Sequence, residues 1–224
     1  MVHMDWFNFV SIITIGWVFI AFCLPDWRKV VWPKMTQEKP FQHLVFATLF
    51  LLCILWSAQA GVKDGLQIHF LALTTLTMMY GWRIAFLLSI PAMLVNHLLH
   101  GIPLSMLPSA WVLSALVPIL ISYLIFLLSY RYLPRNIFVF IFVAGFFNGA
   151  LTGSLHLLIN SFYHLSVGHY DWQTIQHNYF VFVPLLAFPE GLLNGMSLAV
   201  LTVFKPEWLR VFSDRDYIYN HYHK

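Results

Sequence analysis

Charged residues are scarce in this sequence. Asp, Glu, Lys and Arg make up 9% of its 224 residues, against roughly a quarter in soluble domains. Apolar residues make up 60% and aromatic residues 18%, and the mean hydropathy is +0.74. This composition excludes an ordinary soluble domain and predicts a polytopic membrane protein, whose main partner is the lipid bilayer.

Several functional signatures are also missing. The only two cysteines, Cys23 and Cys53, lie inside apolar runs, so we expect neither a disulfide nor a cysteine metal site. Basic residues are scattered singly, which argues against nucleic acid as a partner. No phosphate-binding loop, dinucleotide fingerprint, HExxH motif or nucleophile elbow is present. We therefore predict that the chain is not an enzyme, has no permanently bound cofactor and carries no ATPase of its own.

Apolar runs long enough for a membrane span, about 20 residues each, are plentiful. They lie near residues 6–24, 43–60, 68–82, 84–100, 108–130, 137–161 and 178–203. We predict an all-α fold of about seven transmembrane helices, with one transmembrane domain over 1–212 and a short tail over 213–224. The first run lacks a basic n-region and a small-residue cleavage site, which indicates a retained helix and not a signal peptide.

The third run is short and abuts the fourth at Gly81-Trp82-Arg83. Interrupted membrane segments are tolerated where their backbone lines a cavity or is buried in protein. The pair therefore points to a functional site, although a tight hairpin explains the pattern equally well.

The Lys and Arg residues indicate the orientation. In a seven-span arrangement, all of the 12 except Lys63 fall on one side, and basic loops face the cytoplasm. We predict a multi-pass protein of the inner (plasma) membrane with an external N-terminus and a cytoplasmic C-terminus. The outer side would then be rich in histidine: His3, His69, His97, His100, His156, His164, His169 and His177.

Two late spans carry polar residues at membrane depth. In the sixth, Asn148 and His156 accompany a face of small residues typical of close helix packing. In the seventh, Glu190 and Asn194 share one helix face. An acid at this depth is costly unless it is paired, protonated or hydrated. Glu190 is therefore either a structural group, bonded to Asn148 or to freed backbone groups, or part of a transport path.

The fourth span ends with NHLLH, which places His97 and His100 three residues apart on one helix face. Two imidazoles at this spacing can share a transition metal. Histidine is also common at membrane interfaces, so a purely interfacial role is the alternative.

An ordered set of segments resembles a known family. The segments are GLQIHFLALTTLTMMYGWRIAFLLSI, NIFVFIFVAGFFNGALTGS and LLAFPEGLLNGMSLAVLTVFKPEWL. They resemble the CbiM/NikM-type membrane components of energy-coupling factor transporters, and more closely the stand-alone permeases of that class. The resemblance covers roughly residues 40–212 and implies a seven-helix component that binds Co²⁺ or Ni²⁺. It also implies an ATPase and a transmembrane coupling protein as partners from other chains.

The resemblance implies a metal site made of the N-terminal amine, a histidine at the second position and one further histidine, which His69 matches. The sequence begins Met-Val-His, so removal of Met1 would leave the Val2 amine followed by His3. These two residues can form two chelate rings, leaving a fourth position for His69, a nitrogen-only site that suits Ni²⁺ or Cu²⁺ better than Mg²⁺ or Ca²⁺. If Met1 is retained, the tripeptide can bind Cu²⁺ or Ni²⁺ without His69, and an idle terminal histidine is the third alternative.

The sequence therefore predicts a membrane substrate-binding component for uptake of a divalent transition metal of the cobalt or nickel class. Two alternatives stay open: a non-transporting assembly factor that holds metal or haem, and a proton-coupled transporter of an organic solute that uses Glu190.

Overall fold

The computed structural model describes residues 6–60 and 68–218. The candidate ligands Val2 and His3 lie outside this part of the chain. In chain order the helices are α1 (Trp6–Gln37), α2 (Lys39–Ser57), α3 (Leu73–Tyr80), α4 (Trp82–Leu99), α5 (Leu104–Tyr132), α6 (Ile137–Ser166), α7 (Trp172–Phe204) and α8 (Asp214–Tyr217). All but α3 and α8 are long and apolar enough to cross a membrane. The expected all-α polytopic fold is confirmed.

Prolines shape the long helices. Four wide π-helical turns come just before a proline: Phe19–Cys23, Trp27–Val31, Val112–Leu116 and Gln176–Phe180, ahead of Pro25, Pro33, Pro118 and Pro184. Proline lacks an N–H and its ring crowds the carbonyl four residues earlier, and a wider turn relieves this crowding. As a result α1 runs on to Gln37, well past the expected end at residue 24.

The third predicted span is only half helical. Residues 69–72 have no regular structure, Ala72 has a positive φ of 52°, and α3 begins at Leu73. Ile68 pairs with Ala60 beyond the end of α2 through N–H···O bonds of 2.6 and 2.9 Å. The expected helix over 68–82 is therefore a discontinuous segment, in which irregular backbone over 69–72 precedes a helix that begins at Leu73.

The small residues of α6 form a packing seam against α7. A Cβ atom added to Gly149 would lie 2.8 Å from the Asn194 Cβ, and one added to Gly195 would lie 2.9 Å from the Phe146 Cβ. Such distances leave no room for a side chain, so the glycines allow the two backbones to approach closely.

The bundle has two chemically distinct ends. At one end Asp26 pairs with Arg83 at 3.1 Å and with Arg210 at 3.5 Å. Arg83 lies in the first turn of α4 and His97 in its last turn, a separation of about 21 Å along the axis. We call the end of the bundle that carries Arg83 the arginine end and the end that carries His97 the histidine end. Their assignment to the cytoplasmic and external sides stays a prediction from the Lys and Arg distribution.

The expected tail also contacts the arginine end. The Tyr217 ring in α8 stacks on Phe212 at 5.2 Å and packs against Phe140 at 5.0 Å. The two cysteines, Cys23 and Cys53, are both free thiols.

Candidate functional site

A pocket of about 230 Å³ lies at the histidine end. Five imidazoles line it: His69, His97, His156, His164 and His169. They come from the segment before α3, from α4, from α6 and from the loop after α6. Residues from distant parts of the sequence therefore converge on one cavity.

The first helix supplies part of the same wall. Asn8 lines the pocket and is 7% exposed, and Ser11, one helical turn further on, is 2% exposed. The Phe7 ring packs against Tyr163 with centroids 4.9 Å apart. The start of α1 is thereby held against the end of α6, next to the histidines.

His69 sits in the non-helical segment ahead of α3. Its Nδ1 lies 3.3 Å from the Phe70 carbonyl oxygen, which assigns the proton to Nδ1 and leaves the Nε2 lone pair for a ligand. Its ring lies 5.9 Å from Trp56 and 6.1 Å from His156 between centroids. Trp56 in turn donates its indole N–H to the Leu71 carbonyl at 3.0 Å. This fixed orientation, with one ring nitrogen on a carbonyl, is typical of metal-binding histidines.

His97 shows the same arrangement. Its Nδ1 lies 3.1 Å from the Met93 carbonyl oxygen, one turn earlier in α4. The side chain is buried, and its Nε2 has no hydrogen-bond partner among residues 6–60 and 68–218. A second imidazole nitrogen is therefore buried at the pocket with no partner in the described part of the chain.

His156 differs from these two because both of its ring nitrogens have partners. Asn160 donates to Nδ1 at 3.0 Å, and the ring also hydrogen-bonds the Leu113 backbone. The Leu113 carbonyl is available because Val117 N–H bonds Val112 instead and Pro118 has no N–H. His156 therefore packs beside His69 with its ring held by Asn160 and by the Leu113 backbone.

Other polar atoms at the pocket are also unpaired. Within the described ranges, the buried side-chain atoms without a hydrogen-bond partner are Asn8 Oδ1, Ser11 Oγ, Gln59 Nε2, Asn96 Oδ1 and His97 Nε2. All but Ser11 belong to residues that line the pocket. Buried polar atoms are nearly always hydrogen-bonded, so a group of exceptions in one cavity indicates a polar or ionic occupant.

The described residues do not by themselves form a complete metal centre. Among residues 6–60 and 68–218, no group of three or more His, Cys, Asp or Glu side chains is placed to hold a metal ion. Any centre at this pocket therefore needs additional ligands.

A second polar cluster lies deeper, where α7 meets the start of α3. The Glu190 carboxylate accepts the backbone N–H of Leu71 and of Ala72, each at 2.9 Å. It also accepts the Asn194 side-chain N–H at 2.9 Å. Glu190 thus satisfies backbone donors that the break before α3 leaves without helical partners.

Asn194 continues the same pattern one turn along α7. Its Oδ1 accepts both the backbone N–H and the hydroxyl of Thr75 at 2.8 Å. Its Nδ2 donates to the Glu190 carbonyl at 2.8 Å. Glu190 and Asn194, which we call the clamp, together cap the N-terminus of α3 from a neighbouring helix.

Comparison with known proteins gives one result that bears on identity. A family model named CbiM, described as a cobalt uptake substrate-specific transmembrane region, matches residues 1–208. The chain belongs to the CbiM family. No match was found among curated proteins or among solved structures. A CbiM chain is a membrane transport component, and the resemblance drawn from the sequence is confirmed.

Within this CbiM bundle, the sequence candidates separate into distinct groups. His69, His97 and His156 share the pocket, whereas Glu190 and Asn194 form the clamp. Asn148 joins neither group. It donates to the Ser122 and Ala144 carbonyls at 3.0 and 3.2 Å and accepts the Thr152 hydroxyl.

His97 and His100, at the end of α4, do not point toward one shared metal position. His100 is exposed and is absent from the pocket lining, and its Nδ1 contacts the Asn96 carbonyl oxygen at 3.0 Å. Each of His97 and His100 is bonded to its own helix turn.

Several pocket residues were not predicted from the sequence. Asn8, Gln59 and Asn160 are the clearest examples. Asn8 could have been found from the sequence, because Asn8 and Ser11 are three residues apart and so share one face of an otherwise apolar helix.

Proposed function

We propose that this CbiM-family protein is the substrate-binding membrane component of an uptake system for a divalent transition metal, with Co²⁺ as the first candidate and Ni²⁺ as the second. We further propose that the system is of the energy-coupling factor type. An ATPase and a transmembrane coupling protein would then come from other chains. The family description, which names cobalt uptake, supports the metal class.

The observation that carries this proposal is the set of unpaired nitrogen and oxygen atoms in the histidine pocket. His69 and His97 each have Nδ1 on a carbonyl oxygen. This tautomer leaves the Nε2 of His69 for a ligand, and the Nε2 of His97 is buried without a partner among the described residues. Imidazole nitrogen suits first-row transition metals, whereas Mg²⁺ and Ca²⁺ prefer oxygen. Cu²⁺ fits the same donors and is the third candidate.

The position of α1 supports a contribution from the N-terminal residues. Asn8 lines the pocket, and the five residues from Asn8 back to His3 can reach about 18 Å when extended. His3 can therefore supply an imidazole beside His69, and the Val2 amine can bind as well when Val2 is the first residue. These ligands would complete the set that the described residues lack.

The pocket size argues against haem. A cavity of about 230 Å³ is smaller than the roughly 300–1,000 Å³ of most cofactor and small-molecule pockets. The cavity therefore suits a hydrated ion better than haem. This argues against an assembly factor that holds haem.

The clamp argues against a proton-coupled solute transporter. The Glu190 oxygens are occupied by three N–H donors from Leu71, Ala72 and Asn194. A carboxylate held in this way serves the fold of the α3 segment and does not have to lie on a transport path.

The test is equilibrium dialysis of the purified full chain against CoCl₂ or NiCl₂, with His69→Ala and His3→Ala as variants. We expect each variant to weaken the tightest binding event by more than about 10-fold, because losing even an outer hydrogen-bond partner of a ligand typically costs about 10- to 100-fold in metal affinity. His177→Ala is the matched control, because His177 is exposed, contacts only the Gln173 carbonyl in its own helix and does not line the pocket. Unchanged affinity in both His69→Ala and His3→Ala would overturn the proposed site.

A further inference from the structure

The end of α6 forms a turn that brings two histidines together. His169 N–H bonds the His164 carbonyl at 3.0 Å, and Gly168 N–H bonds the Leu165 carbonyl at 3.2 Å. Gly168 has a φ of 75°. These bonds and this left-handed glycine define a Schellman motif, which juxtaposes the side chains at its first and last positions. Those positions are usually apolar, and here both are histidine.

The two imidazoles are in direct contact. The His164 Nδ1 and the His169 Nδ1 lie 3.2 Å apart, and the ring centroids are 5.4 Å apart. His164 is half-buried and His169 is exposed, and both also line the histidine pocket. The pair therefore stands at the mouth of the pocket, between solvent and the buried nitrogens of His69 and His97.

The spacing of the two nitrogens matches that of two ligands on one ion. With metal–nitrogen bonds of about 2.0–2.1 Å, two ligand nitrogens lie about 2.9 Å apart at a right angle and about 3.3 Å apart at the tetrahedral angle. In this contact one Nδ1 donates its proton to the other. A small rotation of each ring, with that proton moved to Nε2 of its ring, would turn both Nδ1 lone pairs toward a shared ion.

We propose that His164 and His169 form a two-histidine capture site for a divalent transition metal at the mouth of the pocket. Two imidazoles with water in the remaining positions bind more weakly than a complete centre, which suits capture and release toward the deeper site. This inference rests on the proposed function for its biological role, but the binding itself can be measured separately.

Gly168 allows the turn to be tested without touching either imidazole. A Cβ atom added at Gly168 meets nothing within 4 Å, so the only effect of Gly168→Ala is the strain of a positive φ. That strain lowers the population of the turn by about 5- to 30-fold relative to glycine. Gly168→Asn is the matched rescue, because asparagine tolerates this backbone region.

The experiment counts Co²⁺ ions per chain by equilibrium dialysis of the full protein against CoCl₂. We expect two binding events in the wild type, and loss of the weaker one in the His164→Ala/His169→Ala double variant. We expect that event to weaken in Gly168→Ala, to recover in Gly168→Asn and to persist in His177→Ala.

The same titration separates this proposal from the proposed function. In His69→Ala the tight event should weaken while the weak one remains. If the weak event survives in the double variant, or is absent from the wild type, then His164 and His169 are only a hydrogen-bonded pair and the capture site is overturned. If His69→Ala changes nothing while the double variant loses one ion, the capture site stands and the deep site fails.

Discussion

Two regions of the bundle bury polar side chains, and they differ in how those side chains are bonded. In the clamp, Glu190 and Asn194 are 1% and 0% exposed, and both side-chain oxygens of Glu190 and both polar atoms of Asn194 have partners. In the histidine pocket, Asn96 and His97 are 6% and 3% exposed, yet Asn96 Oδ1 and His97 Nε2 have no hydrogen-bond partner among the residues that the structure describes.

This difference assigns the two regions to different tasks. A buried polar group that is fully bonded stabilises the structure around it, whereas one left unbonded must be offset by a ligand, an ion or water. The clamp therefore holds the discontinuous α3 segment in place, and the pocket is the region that we propose receives the substrate. Both tasks meet at His69, which lies only two residues before Leu71 of the clamped backbone.

The largest effect on stability should come from Glu190→Ala. This change leaves the N–H groups of Leu71 and Ala72 without their acceptor. At about 1–3 kcal/mol for each unpaired donor, the expected loss is about 2–6 kcal/mol in the free energy of unfolding. The free energy of unfolding of Glu190→Gln should fall between those of the wild type and Glu190→Ala, because the amide keeps one acceptor oxygen and turns an NH₂ group toward a donor.

Thermal unfolding of the purified protein measures these losses. The matched control is Glu207→Ala, since Glu207 is 61% exposed and pairs only with Lys205 at 3.4 Å, an exposed pair worth about 0–1 kcal/mol. Equal midpoints for Glu190→Ala and Glu207→Ala would show that the clamp does not stabilise the fold.

A smaller loss is expected from Gly149→Ala, because the added Cβ would sit 2.8 Å from the Asn194 Cβ and push the clamp away from α6. Overpacking of this kind typically costs about 1–3 kcal/mol. Gly16→Ala is the control in another membrane helix, where the added Cβ meets nothing within 4 Å. If both alanine variants unfold at the wild-type temperature, the α6–α7 seam is looser than described.

The sequence predicts the spans more readily than the break between them. Apolar runs mark the membrane helices directly, but the segment Phe70-Leu71-Ala72 is as apolar as its neighbours, so hydropathy cannot separate it from a helix. The irregular backbone before α3 is instead bonded to the carboxylate of Glu190. This residue lies 119 positions after Leu71 and 118 positions after Ala72 in the sequence. Glu190 itself was visible from the sequence as an acid in an apolar run, and freed backbone groups were one of its two expected partners. The sequence did not show that these groups are the N–H of Leu71 and Ala72.

The site shows the same limit. The histidines could be grouped on one side by charge and topology, and His69 was singled out by resemblance. The separation of His97 from His100 depends on rotamers that bond each ring to its own helix turn, which spacing alone does not reveal. The His164–His169 pair had a local signal, a glycine just before the second histidine at the end of a helix.

The smallest effect on stability should come from Asn96→Ala in the pocket. Its Oδ1 makes no hydrogen bond, and the backbone carbonyl that His100 contacts is unchanged. Because the change removes a buried acceptor that has no partner in the described residues, we expect a loss below about 1 kcal/mol in the free energy of unfolding, accompanied by weaker Co²⁺ binding. Asn194→Ala is the opposite case, because it removes the acceptor of Thr75. A destabilisation by Asn96→Ala as large as that by Asn194→Ala would remove the distinction between the two regions.

The most direct test is the shift in unfolding midpoint that CoCl₂ produces in the wild type, His69→Ala and Asn194→Ala. A ligand at 100 times its dissociation constant stabilises the folded state by about 2.7 kcal/mol, so binding is visible as a higher midpoint. We predict that His69→Ala unfolds near the wild-type midpoint without metal and loses the Co²⁺ shift. Asn194→Ala should unfold earlier without metal and keep the shift. The reverse result, a Co²⁺ shift lost in Asn194→Ala and kept in His69→Ala, would contradict the assignment of the clamp to the fold and the pocket to the metal.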